Sequence, residues 1–300
     1  MDVLSPVVFG EVLFDEFEDG STILGGAPFN VAWHLQGLGV PPLLISRVGE
    51  DTLGENILAT MHDWGMQTRG VQIDDKHSTG TVTVSFDDDQ PHFDIVMDVA
   101  YDYIDAHQSQ SLLDTTACSI LYHGTLATRS APSRNTLHTL LECNEIPVFI
   151  DINLRPPHWN YDQLARLLAG ASWLKINDHE LTELSRYDDL DRHECMSVAS
   201  QLRKEYQIEN VIVTLGSDGA FAVTHEGVFD VPPVDVTEFI DSVGAGDAFS
   251  AVYILGQINQ WDTATTLARA ADFAASICEQ RGATSADAAF YEMFMSEWGL

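Results

Sequence analysis

Short, almost continuously apolar runs recur along this chain, and helix-compatible segments separate them. The runs occupy residues 7–9, 42–45, 119–122, 147–150, 173–176 and 211–214. The helix-compatible segments occupy residues 30–38, 53–64, 133–141, 161–168, 180–185 and 196–204. A strand that is apolar on both faces must be covered on both faces, as in a parallel sheet with helices on either side. The alternation therefore predicts an α/β fold in three αβα layers with a central, mainly parallel sheet.

One region breaks this alternation. Residues 79–86 and 92–96 alternate apolar and polar side chains and flank an acidic run at 87–91, which predicts a β-hairpin with an acidic turn. Residues 13–24 are extended in the same way. We therefore expect a small second sheet from about residues 12–24 and 78–103, within one domain that spans residues 1–300. An edge hairpin without a functional role is the alternative.

Composition limits the class of protein. With 300 residues and 45% apolar side chains, the chain can bury a large core. No run approaches the ~18–20 apolar residues that a membrane helix needs, and residues 1–6 carry no basic segment typical of a secretory signal. The cysteines are scattered, which favours reduced thiols over disulfides or zinc: Cys118, Cys143, Cys195 and Cys278. We expect a cytoplasmic protein.

The formal net charge of −32 is unusual, and lysine occurs only at Lys76, Lys175 and Lys204. Such a charge repels nucleic acid and anionic membrane surfaces, so we expect neither as a partner. A carboxylate-rich, lysine-poor surface is also what solubility in concentrated salt favours. A salty cell interior and an ordinary acidic protein are both compatible with this composition.

The densest motif lies at residues 241–249, where two carboxylates enclose a Gly-Ala-Gly turn before an apolar, helix-compatible run. Gly244, Ala245 and Gly246 fall where a loop becomes a helix. Amides at a helix N-terminus have no intrahelical partner and lie at the positive end of the helix dipole, and glycines let an anion approach closely. The motif predicts a phosphate cradle whose amides stabilise charge on a transferring phosphoryl group. A purely structural helix start is the alternative.

Asp247 follows this turn directly. A carboxylate beside a phosphate cradle is a candidate general base, because it can take the proton from a hydroxyl that attacks a phosphoryl group. Its place near a helix N-terminus predicts that the side chain stays anionic.

Residues 241–249 resemble the C-terminal signature of the ribokinase-like (PfkB) carbohydrate kinases, and residues 25–39 with 46–54 resemble the N-terminal signature. There the double glycine Gly25-Gly26 is followed by Asn30 and then by a Val-Gly-x-Asp-x-x-Gly segment. The resemblance extends over essentially the whole chain and is closest to bacterial fructokinases. It implies a ribokinase-like fold, phosphoryl transfer from ATP to a sugar, and a small sheet that acts as a lid. Such a lid excludes water from the sugar hydroxyl.

The resemblance also implies a site for ATP and its cations. Asn177 and Glu180 match an Asn-x-x-Glu motif that organises Mg²⁺ through water, although the same pair can form a helix-capping box. The nucleotide would be lined by Asn177, Thr214, Gly216, Gly219 and Gly282. Backbone oxygens around a second set of residues would form a K⁺ site: Asp241, Val243 and Gly282.

On the sugar side, the resemblance assigns hydroxyl-binding positions to Asp15, Gly26 and Asn30. Polar groups of this kind discriminate between sugars, because a buried polar group left unpaired penalises the wrong ligand. Phe93 would pack against an apolar sugar face, or it would be part of the lid core. Arg155, in an Asp-x-Asn-x-Arg segment, would meet ATP phosphates, a substrate carboxylate or a structural carboxylate.

Ala27 stands directly after the double glycine, where ribokinases and phosphosugar kinases of the family usually carry lysine. The absence of that cation favours a sugar without a phosphate group. Residues 10–15 and 123–127 resemble fructokinase segments, so the expected reaction is phosphorylation of the 6-hydroxyl of fructose. A 2-keto-3-deoxygluconate kinase is the alternative, and a nucleoside kinase or a non-catalytic sugar sensor fits the motifs less well. A lid sheet would also allow a homodimer.

Overall fold

The computed structural model describes residues 4–87, 90–185, 187 and 189–300. In chain order its strands are β1 (Ser5–Phe9), β2 (Leu13–Phe17), β3 (Thr22–Gly25), β4 (Leu43–Gly49), β5 (Val71–Asp74), β6 (Gly80–Asp87), β7 (Gln90–Ile95), β8 (Cys118–His123), β9 (Val148–Asp151), β10 (Trp173–Asn177), β11 (Asn210–Thr214), β12 (Ala220–Val223) and β13 (Val228–Val231). Its α-helices are α1 (Ala27–Gly37), α2 (Thr52–Asp63), α3 (Ala106–Leu113), α4 (Ala131–Cys143), α5 (Tyr161–Leu168), α6 (Asp178–Ser185), α7 (Arg192–Tyr206), α8 (Ala245–Ile258), α9 (Thr263–Ile277) and α10 (Ala288–Trp298).

The large sheet has the strand order β13-β12-β11-β10-β9-β8-β1-β4-β5. Neighbouring strands from β11 to β5 run parallel. Every strand segment predicted from an apolar run lies in this parallel part, so the predicted α/β architecture with a mainly parallel sheet is confirmed. The antiparallel edge formed by β12 and β13 was not predicted. It arises because the chain turns back after β11 through a short 3-10 turn at Gly216–Asp218 instead of crossing over through a helix.

Side chains alternate between the two faces of this sheet, and each face carries its own core. On one face, Val7, Leu121 and Leu174 pack with buried side chains of α3 to α7. On the other face, Val8 and Phe149 pack with buried side chains of α1, α2, α8, α9 and α10. The sheet is therefore covered on both sides, as its continuously apolar strands require.

A separate small sheet has the order β3-β2-β6-β7. Strand β2 pairs antiparallel with β3 and parallel with β6, and β6 pairs antiparallel with β7. A separate small sheet was predicted and is present, and its strands lie within residues 13–25 and 80–95. Its action as a lid, and the extension of that lid to residue 103, stay predictions. The tip of the expected acidic turn, residues 88–89, lies outside the described residues, as do residues 1–3.

Polar side chains begin several of the helices. Asp51 caps α2 by accepting the Gly54 N–H, and Asp191 forms a capping box with Glu194 at the start of α7. Among the residues that the structure describes, no helix is both long enough and apolar enough to cross a membrane.

Candidate active site

The Gly-Ala-Gly turn opens α8, as the sequence predicts. Gly244 is the N-cap residue with a φ of 80°, and a Cβ added there would lie 2.4 Å from the Ala283 Cα. Only glycine combines this left-handed backbone with so close a contact. Gly246 is exposed. The Ala245 N–H makes only a long hydrogen bond, 3.3 Å from its nitrogen to the Ser242 carbonyl oxygen. The first turn of α8 therefore presents backbone amides at an accessible helix N-terminus, where anions bind.

The two ends of the sequence motif meet at Asp247. Asn30, in α1, donates a hydrogen bond from Nδ2 to Asp247 Oδ2 at 2.8 Å, across 217 residues of chain. Gly26, the N-cap residue of α1, holds Asn30 there by accepting its N–H at 2.9 Å. Gly26 has a φ of 107°, and a Cβ added to it would lie 2.8 Å from the Glu11 carbonyl oxygen, so this position requires glycine. The candidate base and two predicted sugar-binding residues are thus neighbours.

Asp247 is half-buried, and its environment disfavours the charged form. Burial raises the pKa of its carboxyl to about 7, and the hydrogen bond from Asn30 and the charges of Lys175 and Arg155 oppose this rise only in part. This raised pKa runs against the expectation that the helix N-terminus keeps Asp247 anionic, and desolvation is its largest cause. A carboxylate with a pKa near the working pH is well matched to general base catalysis.

Asp15 and Phe93 lie on the same face of the small sheet. Asp15 is paired with Val82 of β6, and Phe93 is paired with Val84 two residues further along that strand. Residues paired directly or two apart share a face. Burial raises the pKa of Asp15, whereas Phe93 is 56% exposed. The interpretation of Phe93 as lid core is therefore wrong, and its ring is accessible to a ligand.

Arg155 lies in the loop after β9 and is exposed. Its positive charge opposes the burial that raises the pKa values of Glu11, Asp15 and Asp247. Among the described residues, Arg155 makes no ion pair within 4.0 Å, so it does not serve a structural carboxylate directly. Its guanidinium is available to an anionic group of a ligand.

Asn177 and Glu180 form the capping box at the start of α6. The Glu180 N–H donates to Asn177 Oδ1 at 2.8 Å, and the Asn177 N–H donates to Glu180 Oε2 at 3.0 Å. Glu180 Oε1 accepts the Leu154 N–H at 2.7 Å. The helix-capping interpretation therefore describes the pair as it stands. Each carboxylate oxygen still has a free lone pair, which fits a hydration-shell contact to Mg²⁺, and that role stays a prediction.

No cluster of three or more His, Cys, Asp or Glu side chains arranged to hold a metal occurs within the described ranges. The predicted K⁺ residues do come together: Asp241 Oδ1 accepts the Val243 N–H at 3.1 Å, and Asp241 Oδ2 accepts the Gly282 N–H at 3.4 Å. The Asp241 carboxylate therefore connects the residues before α8 with the loop that contains Gly282. A cation there stays a prediction.

The glycines predicted to line the nucleotide differ in their surroundings. Gly216 and Gly282 have φ values of 55° and 86°, and no atom lies within 4 Å of a Cβ added to either. Gly219 instead packs on the Val231 carbonyl oxygen, 2.3 Å from such a Cβ. Thr214 ends β11 and pairs with Ala220. Gly216 and Gly282 therefore leave open space for a ligand, whereas Gly219 serves the turn into β12.

A buried ion pair that the sequence motifs did not predict lies beside the turn. Lys175 Nζ donates to Asp151 Oδ2 at 2.8 Å, and Ser250 Oγ donates to the same oxygen at 2.8 Å. Lys175 interrupts the apolar run at residues 173–176 and is one of three lysines in the chain. A lysine inside a strand covered on both faces is the signal that points to this pair.

Comparisons with known proteins show which family the chain belongs to. The model of the pfkB family of carbohydrate kinases matches residues 7–289. Fructokinase of Klebsiella pneumoniae is 30% identical over 262 residues, which cover 83% of this chain and 83% of that protein. The 5-dehydro-2-deoxygluconokinase of Geobacillus thermodenitrificans is 26% identical over 252 residues, which cover 79% of this chain and 73% of that protein.

A crystal structure of a fructokinase double mutant from Vibrio cholerae O395, with fructose, ADP and potassium ion bound, has a TM-score of 0.79 to this structure. The two chains are 25% identical, and the alignment covers 98% of this chain and 99% of that one. The family match includes both sequence signatures and the strands that position them. The chain belongs to the pfkB family of carbohydrate kinases and is a sugar phosphotransferase.

Proposed function

We propose that this enzyme is an ATP-dependent fructokinase that phosphorylates the 6-hydroxyl of fructose, with Asp247 as the general base. The observation that carries the proposal is the 2.8 Å hydrogen bond from Asn30 to Asp247. This bond places the predicted hydroxyl-binding residue Asn30 beside the candidate base at the N-terminus of α8. A sugar bound by Asn30 would therefore lie close to both the base and the proposed phosphate cradle.

In the proposed reaction, Asp15 and Asn30 hold the sugar and Asp247 takes the proton of its primary hydroxyl. Asn30 Oδ1 is buried without a hydrogen-bond partner among the described residues, which supports a role in accepting a hydroxyl. The hydroxyl oxygen attacks the γ-phosphorus of ATP, the bond from that phosphorus to the bridging oxygen breaks, and ADP leaves. The amides of Gly244, Ala245 and Gly246 stabilise the transferring group.

Asn177 and Glu180 would hold Mg²⁺ through its bound waters. The ion would neutralise negative charge on the ATP phosphates, which the acidic surface otherwise repels. Thr214, Gly216 and Gly282 would line the nucleotide, and Asp241 and Val243 would help to form a K⁺ site. A cytoplasmic location and a homodimer through the small sheet belong to the same proposal.

A 2-keto-3-deoxygluconate kinase is the second candidate. Its substrate carries a carboxylate, and the exposed Arg155 has a guanidinium free of ion pairs among the described residues. Because Arg155 acts electrostatically on Asp15 and Asp247, a carboxylate bound there would lie near the proposed sugar site. Fructose is preferred because the fructokinase of Klebsiella pneumoniae is similar over 83% of the chain.

The test is ADP production from ATP·Mg²⁺ with fructose, 2-keto-3-deoxygluconate, ribose, adenosine, tagatose and fructose 6-phosphate, each with and without K⁺. The position of the phosphate on the product is assigned by NMR. The proposal predicts the highest kcat/KM for fructose and a 6-phosphate product. Preference for 2-keto-3-deoxygluconate, lost in an Arg155→Met variant, would transfer the assignment to the second candidate.

A further inference from the structure

A buried cation lies directly behind the phosphate cradle. Lys175 is 5% exposed and lies in β10, where it is the register partner of Asp151 in β9. A Cβ added to Gly246 would lie 3.3 Å from Lys175 Nζ, so the ammonium group lies against the backbone of the Gly-Ala-Gly turn. This contact connects β10, and through Asp151 also β9, to the start of α8.

The contact continues into the second turn of α8. Ser250 Oγ donates to Asp151 Oδ2 at 2.8 Å and lies 3.1 Å from the Gly246 carbonyl oxygen. Asp151 is 3% exposed and Ser250 is fully buried. A single carboxylate oxygen therefore joins β9, β10 and α8, and this fixes the helix that carries Asp247.

The charges around Asp247 come from several elements. Asp151, Lys175 and Arg155 act on its carboxyl, and Asp247 in turn acts on Glu11 and Tyr122. Lys175 is the buried cation of this set. Arg155 is exposed to solvent, so its charge is more strongly screened. The Lys175 ammonium faces Asp151, Asp247 and Glu180, which are all acidic.

We propose that Lys175 is a positioning residue: paired with Asp151, it fixes the first turn of α8 and supplies the positive charge behind Gly246 that keeps Asp247 available as a base. This inference rests on the proposed role of Asp247. The ammonium offsets the negative charges of Asp151, Asp247 and Glu180 in a chain of net charge −32, which in the proposed function must also bind the phosphates of ATP. A lysine that only supported folding would have no effect on the ionisation of Asp247.

The test is the pH dependence of kcat/KM for the best sugar in the panel, measured in matched variants. Lys175→Met removes the charge but retains a side chain of similar length. It is expected to move the acid limb of the profile, where activity falls as the pH is lowered, upward by about one pH unit. The reason is that a nearby opposite charge lowers a carboxyl pKa by about that amount or more. Lys175→Arg retains the charge and is expected to leave the limb within a few tenths of a unit. Lys204→Met, at an exposed position in α7, is the control and is expected to change nothing.

The double variant Lys175→Met/Asp151→Asn covers the case in which Lys175→Met alone does not fold. It removes both buried charges, so no unpaired carboxylate remains, and the acid limb is expected to return close to that of the wild type. An unshifted limb in folded Lys175→Met, or a double variant whose limb moves upward as far as the single one, would overturn the proposal. The base assignment is tested separately: full activity of Asp247→Asn would reject Asp247 as the base, whatever Lys175 does.

Discussion

Asp247 is the side chain on which the proposed chemistry depends, and its ionisation sets the pH range of activity. A base must be deprotonated, and burial raises the pKa of this carboxyl to about 7. Activity is therefore expected to be full above that pKa and to fall about tenfold for each pH unit below it. In the proposed mechanism burial has two opposing effects, because it excludes water from the reaction but also favours the protonated form of the base.

Asn30 stabilises the ionised form of Asp247 through the 2.8 Å hydrogen bond. Asn30→Ala is therefore expected to shift the acid limb of kcat/KM to higher pH, since the charged carboxylate loses a donor. A pH–rate profile of the purified variants measures the shift, with the exposed Asn259→Ala as the control. If Asn30→Ala changed the KM for the sugar but left the limb in place, the proposed coupling to Asp247 would be wrong.

Glu11 is a second buried carboxyl, and it is expected to make stability depend on pH. It is 3% exposed, its Oε2 has no hydrogen-bond partner within the described ranges, and burial raises its pKa to about 7 from an ordinary 4.5. Between these two values the folded state binds more protons than the unfolded state. The free energy of unfolding therefore falls as the pH rises through that window.

Glu11→Gln removes this titration. Relative to the wild type, the variant is expected to gain stability as the pH rises from about 5 to about 8, by up to ~3 kcal/mol for a shift of this size. Thermal unfolding at both pH values gives the difference. A difference between the two proteins that is independent of pH would show that Glu11 does not titrate in this window.

At the scale of elements, the start of α8 depends on the backbone of Gly244. Gly244 and Gly20 have nearly equal φ values, 80° and 81°, but a Cβ at Gly244 meets Ala283 at 2.4 Å while one at Gly20 meets no atom within 4 Å. Gly20→Ala should therefore show only the backbone cost of about 1–2 kcal/mol. Gly244→Ala should lose more stability and also most of the activity, because the turn must move to relieve the clash.

Chemical denaturation gives the free energy of unfolding of both variants. Equal losses for the two would mean that the contact between Gly244 and Ala283 adds nothing to the backbone strain, and that α8 does not depend on this close approach.

The parallel strands, the small sheet and the glycine turn of α8 were predictable because each depends on local pattern: apolar residues on both faces, alternation, or glycine before an apolar helix. The antiparallel strands β12 and β13 were not, since a strand reversal depends on the turn at Gly216–Asp218. The pKa of Asp247 and the pair of Lys175 with Asp151 were not predictable either. Both depend on burial between elements that are distant in sequence.

At the scale of the whole molecule, the charge is strongly unbalanced. There are 46 acidic residues and 14 lysines and arginines. Several of these cations are already engaged in ion pairs with aspartates, such as Arg47 with Asp74 and Arg129 with Asp102. Most carboxylates therefore repel one another across the surface, and this repulsion opposes the compact state.

Salt is expected to relieve that repulsion. Raising KCl from low concentration to about 1 M shortens the screening length to a few ångströms, so the melting temperature should rise. Sodium chloride at the same ionic strength is the control, because it separates screening from a specific effect of K⁺. A melting temperature that stays constant or falls in both salts would contradict an adaptation of this surface to salt.

The isosteric Asp247→Asn variant tests most directly whether Asp247 removes the proton from the attacking sugar hydroxyl, as we propose. Steady-state kinetics with fructose and ATP·Mg²⁺ should show kcat lower by about 10²–10⁴-fold, because a positioned base contributes a factor of that size. The exposed Asp19→Asn serves as the control, and circular dichroism verifies the fold of both variants. Wild-type turnover by folded Asp247→Asn would exclude Asp247 as the general base.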